Sequence, residues 1–223
     1  MNYELARFNM IEQQIRPWEV LDSQVLALLA VIKREDFVPT AYRSLAFADM
    51  EIPLSSQSQR FPGQCMLSPK IEARILQDLA VQSHEKVLEI GTGSGYMAAL
   101  LGYRAQRVIS LEIDAELAQT ARGNLQKAGI FNVEVRIANG AEADLLKTPF
   151  DVIALSGSVA AVPAALLEML KVGGRLCAIT GDEPMMRATL VTRVGDAAWR
   201  TTQAWDTVAP RLLGFAEPSR FSF

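Results

Sequence analysis

The chain has 223 residues, of which 50% are hydrophobic and 21% charged, a balance typical of one folded domain and against intrinsic disorder. Its formal net charge is −3 and its isoelectric point about 5.3, so no overall positive field exists to attract nucleic acid. The longest apolar run, Val25 to Ile32, is far shorter than the roughly 20 residues of a membrane span, and one histidine with two distant cysteines argues against a metal site.

The first third of the chain is predicted to be helical with irregular connections. It opens with MNYELARFNM, which lacks the apolar run of a secretory signal, so we expect a cytoplasmic protein. Apolar spacing indicates helices over Glu4–Ile15 and Asp22–Lys33, the second capped by its first residue. From Ala48 to Pro69 the periodicity is lost. Ser68 is expected to cap, through its hydroxyl oxygen, a helix that starts at Pro69.

Five β-rich runs follow, and helical patterns separate the first three and the last two. They are Lys86–Ile90, Arg107–Ile113, Asn132–Ala138, Phe150–Leu155 and Gly174–Thr180. Alternating strands and helices predict a parallel sheet covered on both faces. Two further runs, Ala188–Val194 and Trp199–Trp205, predict an antiparallel edge. We therefore expect an α/β fold with a doubly wound, mostly parallel seven-stranded sheet in residues 69–223, and an N-terminal helical and loop extension in residues 1–68.

The segment Val87 to Tyr96, VLEIGTGSGY, carries the strongest functional signal. A buried strand runs into glycines at 91, 93 and 95, and a helix follows at once. Glycines let the backbone turn sharply and let a ligand approach the main chain, at the edge of the sheet where α/β proteins bind ligands. Because Tyr96 occupies the place of the third glycine of a dinucleotide motif, the spacing argues against a pyrophosphate cofactor.

Two acidic residues favour a nucleoside ligand with a cationic group. Glu112 closes the second strand about 20 residues after the glycines, where a carboxylate can accept hydrogen bonds from both ribose hydroxyls. Glu89, just before the glycine loop, is placed to serve an amino group. A ligand with adenine, ribose and an amino acid tail is S-adenosylmethionine, and the motif resembles the first motif of the class I methyltransferases.

The resemblance extends over almost the whole chain to the protein-L-isoaspartate O-methyltransferases. It rests on six segments in the family's order: Met10–Ile15, Lys33–Asp49, Gly63–Pro69, Val87–Tyr96, Pro149–Pro163 and Leu170–Leu176. It implies a Rossmann-like methyltransferase fold and transfer of a methyl group from S-adenosylmethionine to the carboxylate of an isoaspartyl residue. Such a carboxylate is already ionised at neutral pH, so no general base is expected.

The resemblance also implies roles for individual positions. Cofactor contacts are expected from Glu89, Gly91, Thr92, Gly93, Ser94, Gly95, Glu112, Ile113, Asn139, Gly140 and Ser156. Asn139 stands where the family usually has Asp, and Gly157 and Ser158 are expected in the crevice with Ser156. On the acceptor side, Leu67 occupies the place of the family's active-site serine, and Ser68 is adjacent. Arg211 is a candidate contact for the substrate carboxylate.

Alternatives to isoaspartyl repair remain open at this point. Because Leu67 replaces a hydroxyl, the acceptor could instead be a small molecule or another protein group. The loop that includes Leu54 to Phe61 is longer than usual in the family, which points the same way. A non-catalytic module that only binds the cofactor is a second alternative. A nucleic-acid methyltransferase is disfavoured, because LSGSVAAVP (Leu155 to Pro163) lacks the Pro-Pro-aromatic segment that grips a flipped base.

Overall fold

The computed structural model describes residues 2–54, 63–142 and 148–217. Its α-helices are α1 (Tyr3–Asn9), α2 (Ser23–Val31), α3 (Pro69–Leu79), α4 (Tyr96–Arg104), α5 (Ala115–Lys127) and α6 (Ala164–Glu168). Its strands are β1 (Ile52–Pro53), β2 (Cys65–Met66), β3 (Lys86–Ile90), β4 (Arg107–Glu112), β5 (Val133–Ile137), β6 (Phe150–Val159), β7 (Leu170–Asp182), β8 (Met185–Gly195) and β9 (Ala198–Thr207). Across these described ranges, every helix is too short or too polar to cross a bilayer.

The main sheet has seven strands in the order β5-β4-β3-β6-β7-β8-β9. Strands β3 to β7 pair in parallel, while β8 and β9 form an antiparallel edge, so the predicted sheet is confirmed. The strand order reverses between β3 and its neighbours β4 and β6. In open α/β sheets this reversal leaves a crevice at the carboxyl ends of the strands, which is where ligands bind.

The strands on either side of α6 are longer than the sequence indicates. The sequence predicts that the fourth strand ends at Leu155, but β6 continues to Val159. The fifth strand is predicted to begin at Gly174, whereas β7 begins at Leu170. Long-range pairing explains the extension. Ser158 pairs with Ile179 of β7, and on its other side its N–H donates to the carbonyl of Pro210 at 2.8 Å.

The N-terminal helices form where apolar spacing predicts them, with one change of geometry. After α1, the segment Met10–Ile15 is a π-helix followed by a 3₁₀ turn, so the expected single helix is divided. Asp22 caps α2 as predicted, because its Oδ1 accepts from the N–H of Gln24 at 2.8 Å. The predicted long loop falls partly on residues 55–62, which lie outside the described part of the chain.

Two apolar clusters lie against the sheet. One unites the N-terminal helices with α3, α4 and α5, and the other contains Leu166 of α6 with Leu212 and Phe215 of the C-terminal segment packed against it. The apolar face of α3, formed by Ile71, Ile75, Leu76 and Leu79, belongs to the first cluster as its spacing predicts. The N-terminal extension therefore packs into the same core as the helices that support the ligand crevice.

Candidate active site

A cleft opens at the carboxyl ends of β3, β4 and β6, and we call it the main cleft. It holds about 670 Å³ of empty space, part of it open to solvent. Residues of four chain segments form its floor: Ile90, Gly91, Gly93, Leu111, Glu112, Ile113, Ala138, Gly140 and Ser156. Gly91 and Gly93 have φ values of +92° and +53°, so the loop turns through conformations that favour glycine and exposes its main chain to the cleft.

Glu112 is fixed by the backbone of the loops around it. Its Oε2 accepts from the N–H of Gly93 at 2.7 Å, and its Oε1 accepts from the N–H of Asp114 at 3.0 Å. Burial raises the pKa of this carboxyl, while the backbone N–H donors oppose the shift. Each oxygen accepts from a backbone donor and retains a second lone pair. A carboxylate held this way is placed to accept hydrogen bonds from hydroxyl groups of a ligand in the main cleft.

Glu89 lies beneath the cleft and does not line it. Its two oxygens accept from the hydroxyls of Ser110 at 2.6 Å and Ser156 at 2.8 Å, and the residue is fully buried. Burial is the largest cause that raises the pKa of Glu89 to about 8, and the two serines oppose it. Glu89 therefore lies behind Ser156, which lines the cleft, and does not itself face the main cleft.

The polar groups of Asn139 are engaged within the chain. Its Oδ1 accepts from the N–H of Ala141 at 3.1 Å and its Nδ2 donates to Glu142 at 3.2 Å. Its neighbours Ala138 and Gly140 line the main cleft, whereas Asn139 itself does not. At this position the structure brings the main chain, and not the predicted side chain, to the site.

A small cavity lies beside the main cleft and shares Gly91, Gly93, Cys65 and Ser156 with it; its empty space, part of it open to solvent, is about 250 Å³. Its remaining walls are Met66, Leu67, Glu72, Thr92, Ser94, Tyr96 and Met97. The cavity therefore connects the glycine loop with the segment before α3. Gly95 lines neither space, because it caps α4 with a φ of +87° and packs on Ala121.

The acceptor-side predictions for Leu67 and Ser68 have different outcomes. Leu67 is buried and lines the small cavity. Ser68 occupies the N-cap position of α3 and Pro69 begins the helix, as predicted, but the hydroxyl makes no capping hydrogen bond. Its Oγ is buried and has no hydrogen-bond partner among the described residues. The expectation that a cap occupies this oxygen is wrong, since the cap geometry is supplied by the backbone alone.

Glu72 and Tyr96 were not predicted as site residues. Both are buried and line the small cavity. The pKa of Glu72 is raised to about 7 by burial, against the opposing charge of Arg34. The sequence did contain a signal that Glu72 is buried, because it precedes Leu76 by four residues and so lies on the buried face of α3.

Cys65 borders both the main cleft and the small cavity. Burial beside Glu51 raises the pKa of its thiol to about 12, so the thiol is protonated at neutral pH.

The C-terminal segment forms one side of the main cleft. Its residues Pro210 to Leu213 line the cleft, and Leu212 lies so close to Gly91 and Gly157 that a Cβ at either glycine would clash with it. Gly157 lines neither of the two spaces. The guanidinium of Arg211 is held by the carboxylates of Asp182 and Glu217 and by the Gly181 carbonyl. It therefore serves first as an anchor of this segment.

Comparisons with known proteins agree with this geometry. The family model described as Protein-L-isoaspartate(D-aspartate) O-methyltransferase (PCMT) matches residues 6–208. The protein-L-isoaspartate O-methyltransferase of Koribacter versatilis (strain Ellin345) is 39% identical over 212 residues, which cover 95% of this chain and 92% of that protein. Protein-L-isoaspartate O-methyltransferase 2 of Marinobacter nauticus is 37% identical over 206 residues, 92% of this chain and 91% of that protein.

A solved structure shares the fold. It is the protein-L-isoaspartate O-methyltransferase (PCMT) from Plasmodium falciparum in complex with S-adenosyl-L-homocysteine, with a TM-score of 0.76 and 18% sequence identity. The match covers 95% of this chain and 98% of that chain.

Proposed function

The chain belongs to the protein-L-isoaspartate O-methyltransferase family, and on that premise we propose that it transfers a methyl group from S-adenosylmethionine to the carboxylate of isoaspartyl residues in damaged proteins. One observation carries the proposal beyond membership of the family. The main cleft, which suits a nucleoside, shares Gly91 and Ser156 with the small cavity beside it, so a cofactor and an acceptor would meet at these two residues.

The residues of the main cleft fit S-adenosylmethionine. Glu112 offers a carboxylate for the ribose hydroxyls, the apolar side chains of Ile90, Leu111 and Ile113 offer a surface for adenine, and Gly91 and Gly93 leave the main chain accessible. When bound, this cofactor supplies an electrophilic methyl group on a sulfonium sulfur.

We propose supporting roles for the remaining predicted positions. Thr92 and Ser94 border the small cavity, where they would act near the amino acid end of the cofactor. Glu89 would orient Ser156, whose hydroxyl donates to it. Gly95 and Asn139 would shape the loops that hold the ligand, without touching it. These roles follow from the contacts described above.

The chain's part in catalysis is positioning and exclusion of water. An isoaspartyl carboxylate is ionised at neutral pH, so no residue needs to remove a proton from it. Met66 and Leu67, both buried, give the small cavity an apolar wall that limits water beside the acceptor. Leu67 cannot donate a hydrogen bond to the acceptor, so the side chain aligns it by packing alone.

We also propose which parts of the chain face the substrate and the cofactor, which class of acceptor is used, and in which compartment the protein works. We place the substrate side in residues 1–68, because Met66 and Leu67 of that part line the small cavity, and the cofactor side in residues 69–223. A protein or peptide acceptor is favoured over a small molecule by the family, and over nucleic acid by the net charge of −3. The two cysteines are free thiols, which suits the reducing cytoplasm.

Methyl transfer from labelled S-adenosylmethionine to an isoaspartyl peptide tests the proposed function. Wild type is expected to label the peptide with a base-labile methyl ester, and Leu67→Ser is expected to retain that activity. Calorimetry with S-adenosylhomocysteine supplies the control for an intact cofactor site. If the chain binds S-adenosylhomocysteine and labels nothing while Leu67→Ser labels the peptide, the natural acceptor is a different group. Failure to bind the cofactor product would reject every methyltransferase function.

A further inference from the structure

One fully buried guanidinium reaches the segment that borders the acceptor side. Arg34 has no exposed surface, and each of its three nitrogens has its own partner. Its Nε donates to the carbonyl of Ala46 at 3.1 Å and its Nη2 to the carbonyl of Leu67 at 2.8 Å, while its Nη1 pairs with the carboxylate of Glu72. A single side chain thus ties the N-terminal extension to the wall of the small cavity.

Two of the three hydrogen-bond partners of Arg34 belong to the site itself. Leu67 and Glu72 line the small cavity, and so does Tyr96, whose ring centroid lies 5.1 Å from the guanidinium carbon. Tyr96 begins the helix behind the glycine loop. Arg34 therefore contacts both the acceptor side of the cavity, at Leu67, and its cofactor side, at Tyr96.

Glu72 fixes the orientation of this guanidinium. A buried charge without a partner is strongly destabilising, so the two side chains must keep each other's place. The planar fork of arginine can serve three partners in fixed directions, whereas the point charge of lysine cannot. The carbonyl of Leu67 lies next to Ser68, whose hydroxyl makes no cap, so the chain entering α3 is held here by Arg34 and by the β1–β2 pairing.

We propose that Arg34 is a positioning residue for methyl transfer, which sets the distance between the Cys65–Ser68 segment and the glycine loop, with Glu72 as its counter-charge. The inference rests on the proposed function, since it assigns the small cavity to the acceptor. Neither Arg34 nor Leu67, whose carbonyl it holds, lines the main cleft, so we assign Arg34 to acceptor alignment and not to cofactor affinity.

The chain offers a matched control for this role. Arg7 and Glu35 form a second buried ion pair in the N-terminal extension, with side chains 9% and 3% exposed. Arg7 donates to both carboxylate oxygens of Glu35, and neither residue lines the small cavity. Replacement of Arg7 by lysine therefore weakens a buried ion pair of the same kind, whose Glu35 is next to Arg34 in sequence, while Arg34 keeps its own hydrogen bond to Leu67.

Steady-state methyl transfer to an isoaspartyl peptide, compared between Arg34→Lys and Arg7→Lys well below their melting temperatures, tests the inference. Arg34→Lys should lower kcat/KM for the peptide by about tenfold, because the hydrogen bond to Leu67 is lost, and should leave the Kd of S-adenosylhomocysteine unchanged. Arg7→Lys should leave both unchanged. Equal losses of kcat/KM in the two variants, or weaker cofactor binding in Arg34→Lys, would show a merely structural role and overturn the inference.

Amide hydrogen exchange gives a readout that does not depend on methyl transfer. Peptides that contain residues 63–68 should exchange faster in Arg34→Lys than in wild type or Arg7→Lys, and unchanged exchange would overturn the inference. If wild type transfers no methyl group, the proposed function fails while this measurement still decides whether Arg34 holds the segment. If Arg34→Lys does not fold, Glu72→Gln replaces it: faster exchange in residues 63–68 supports the inference, and unchanged exchange contradicts it.

Discussion

The carboxylate of Glu112 is the group on which cofactor affinity should depend most. In Glu112→Gln one side-chain oxygen remains, and the other is replaced by an amide nitrogen that is a donor. Since the wild-type oxygens accept from the N–H groups of Gly93 and Asp114, at 2.7 and 3.0 Å, one of those donors loses its acceptor. The same replacement removes the negatively charged carboxylate that would accept hydrogen bonds from the ribose hydroxyls.

The magnitude follows from these lost hydrogen bonds. A hydrogen bond to a charged group contributes about 1.5–3 kcal/mol, so the Kd of S-adenosylhomocysteine should weaken by about 10- to 100-fold in Glu112→Gln. Isothermal titration calorimetry measures this directly. Glu116→Gln, an exposed position in the first turn of α5, removes the same charge as a control and should leave the Kd unchanged.

A Kd for Glu112→Gln within about twofold of wild type, in a variant that melts as wild type does, would refute the assignment of Glu112 to the ribose. An equal loss in Glu116→Gln would attribute the effect to net charge instead.

Two further predictions concern the residues around the cleft. The pKa of Glu89 is raised from 4.5 to about 8, so the folded chain retains a proton that the unfolded chain has lost, and stability falls as pH rises through this interval, by at most about 1.4 kcal/mol per pH unit. Glu89→Gln should gain stability relative to wild type between pH 5 and pH 8 in denaturant unfolding, and a constant difference would show that Glu89 is ionised throughout. In Gly140→Ala the new Cβ would clash with Cγ2 of Ile90, so cofactor affinity and melting temperature should both fall, whereas Gly123→Ala, whose Cβ would meet nothing within 4 Å among the described residues beyond its own stretch of helix, should lower neither.

The sequence was sufficient to predict the features of the fold and site that depend on spacing along the chain. The strands around VLEIGTGSGY, the cap at Asp22 and the position of Glu112 beside the glycine loop follow from periodicity and from the distance along the chain. Glu112 and Gly93 are 19 residues apart, but parallel pairing of β3 with β4 brings their chain ends together, as the motif predicts.

Features that depend on distant partners could not be predicted. The extension of β6 requires Pro210, and the clash that makes Gly157 necessary involves Leu212, both more than 50 residues away. Sequence spacing placed Glu89 at the right end of β3, but only the fold shows that Ser110 and Ser156 take both of its oxygens. The predicted side-chain hydrogen bond at Ser68 is missing for a different reason. Backbone geometry places Ser68 at the N-cap, and the rotamer of its hydroxyl is independent of that geometry.

Regioselectivity tests the central claim most directly. Two peptides of identical sequence, one with an isoaspartyl and one with an ordinary aspartyl linkage at the same position, are incubated together with the chain and S-adenosylmethionine, and the methyl esters on each are quantified by mass spectrometry. Our account predicts that the isoaspartyl peptide alone is esterified, at a rate that Arg7→Lys does not alter. Equal esterification of both peptides, or none on either while S-adenosylhomocysteine binds, would contradict it.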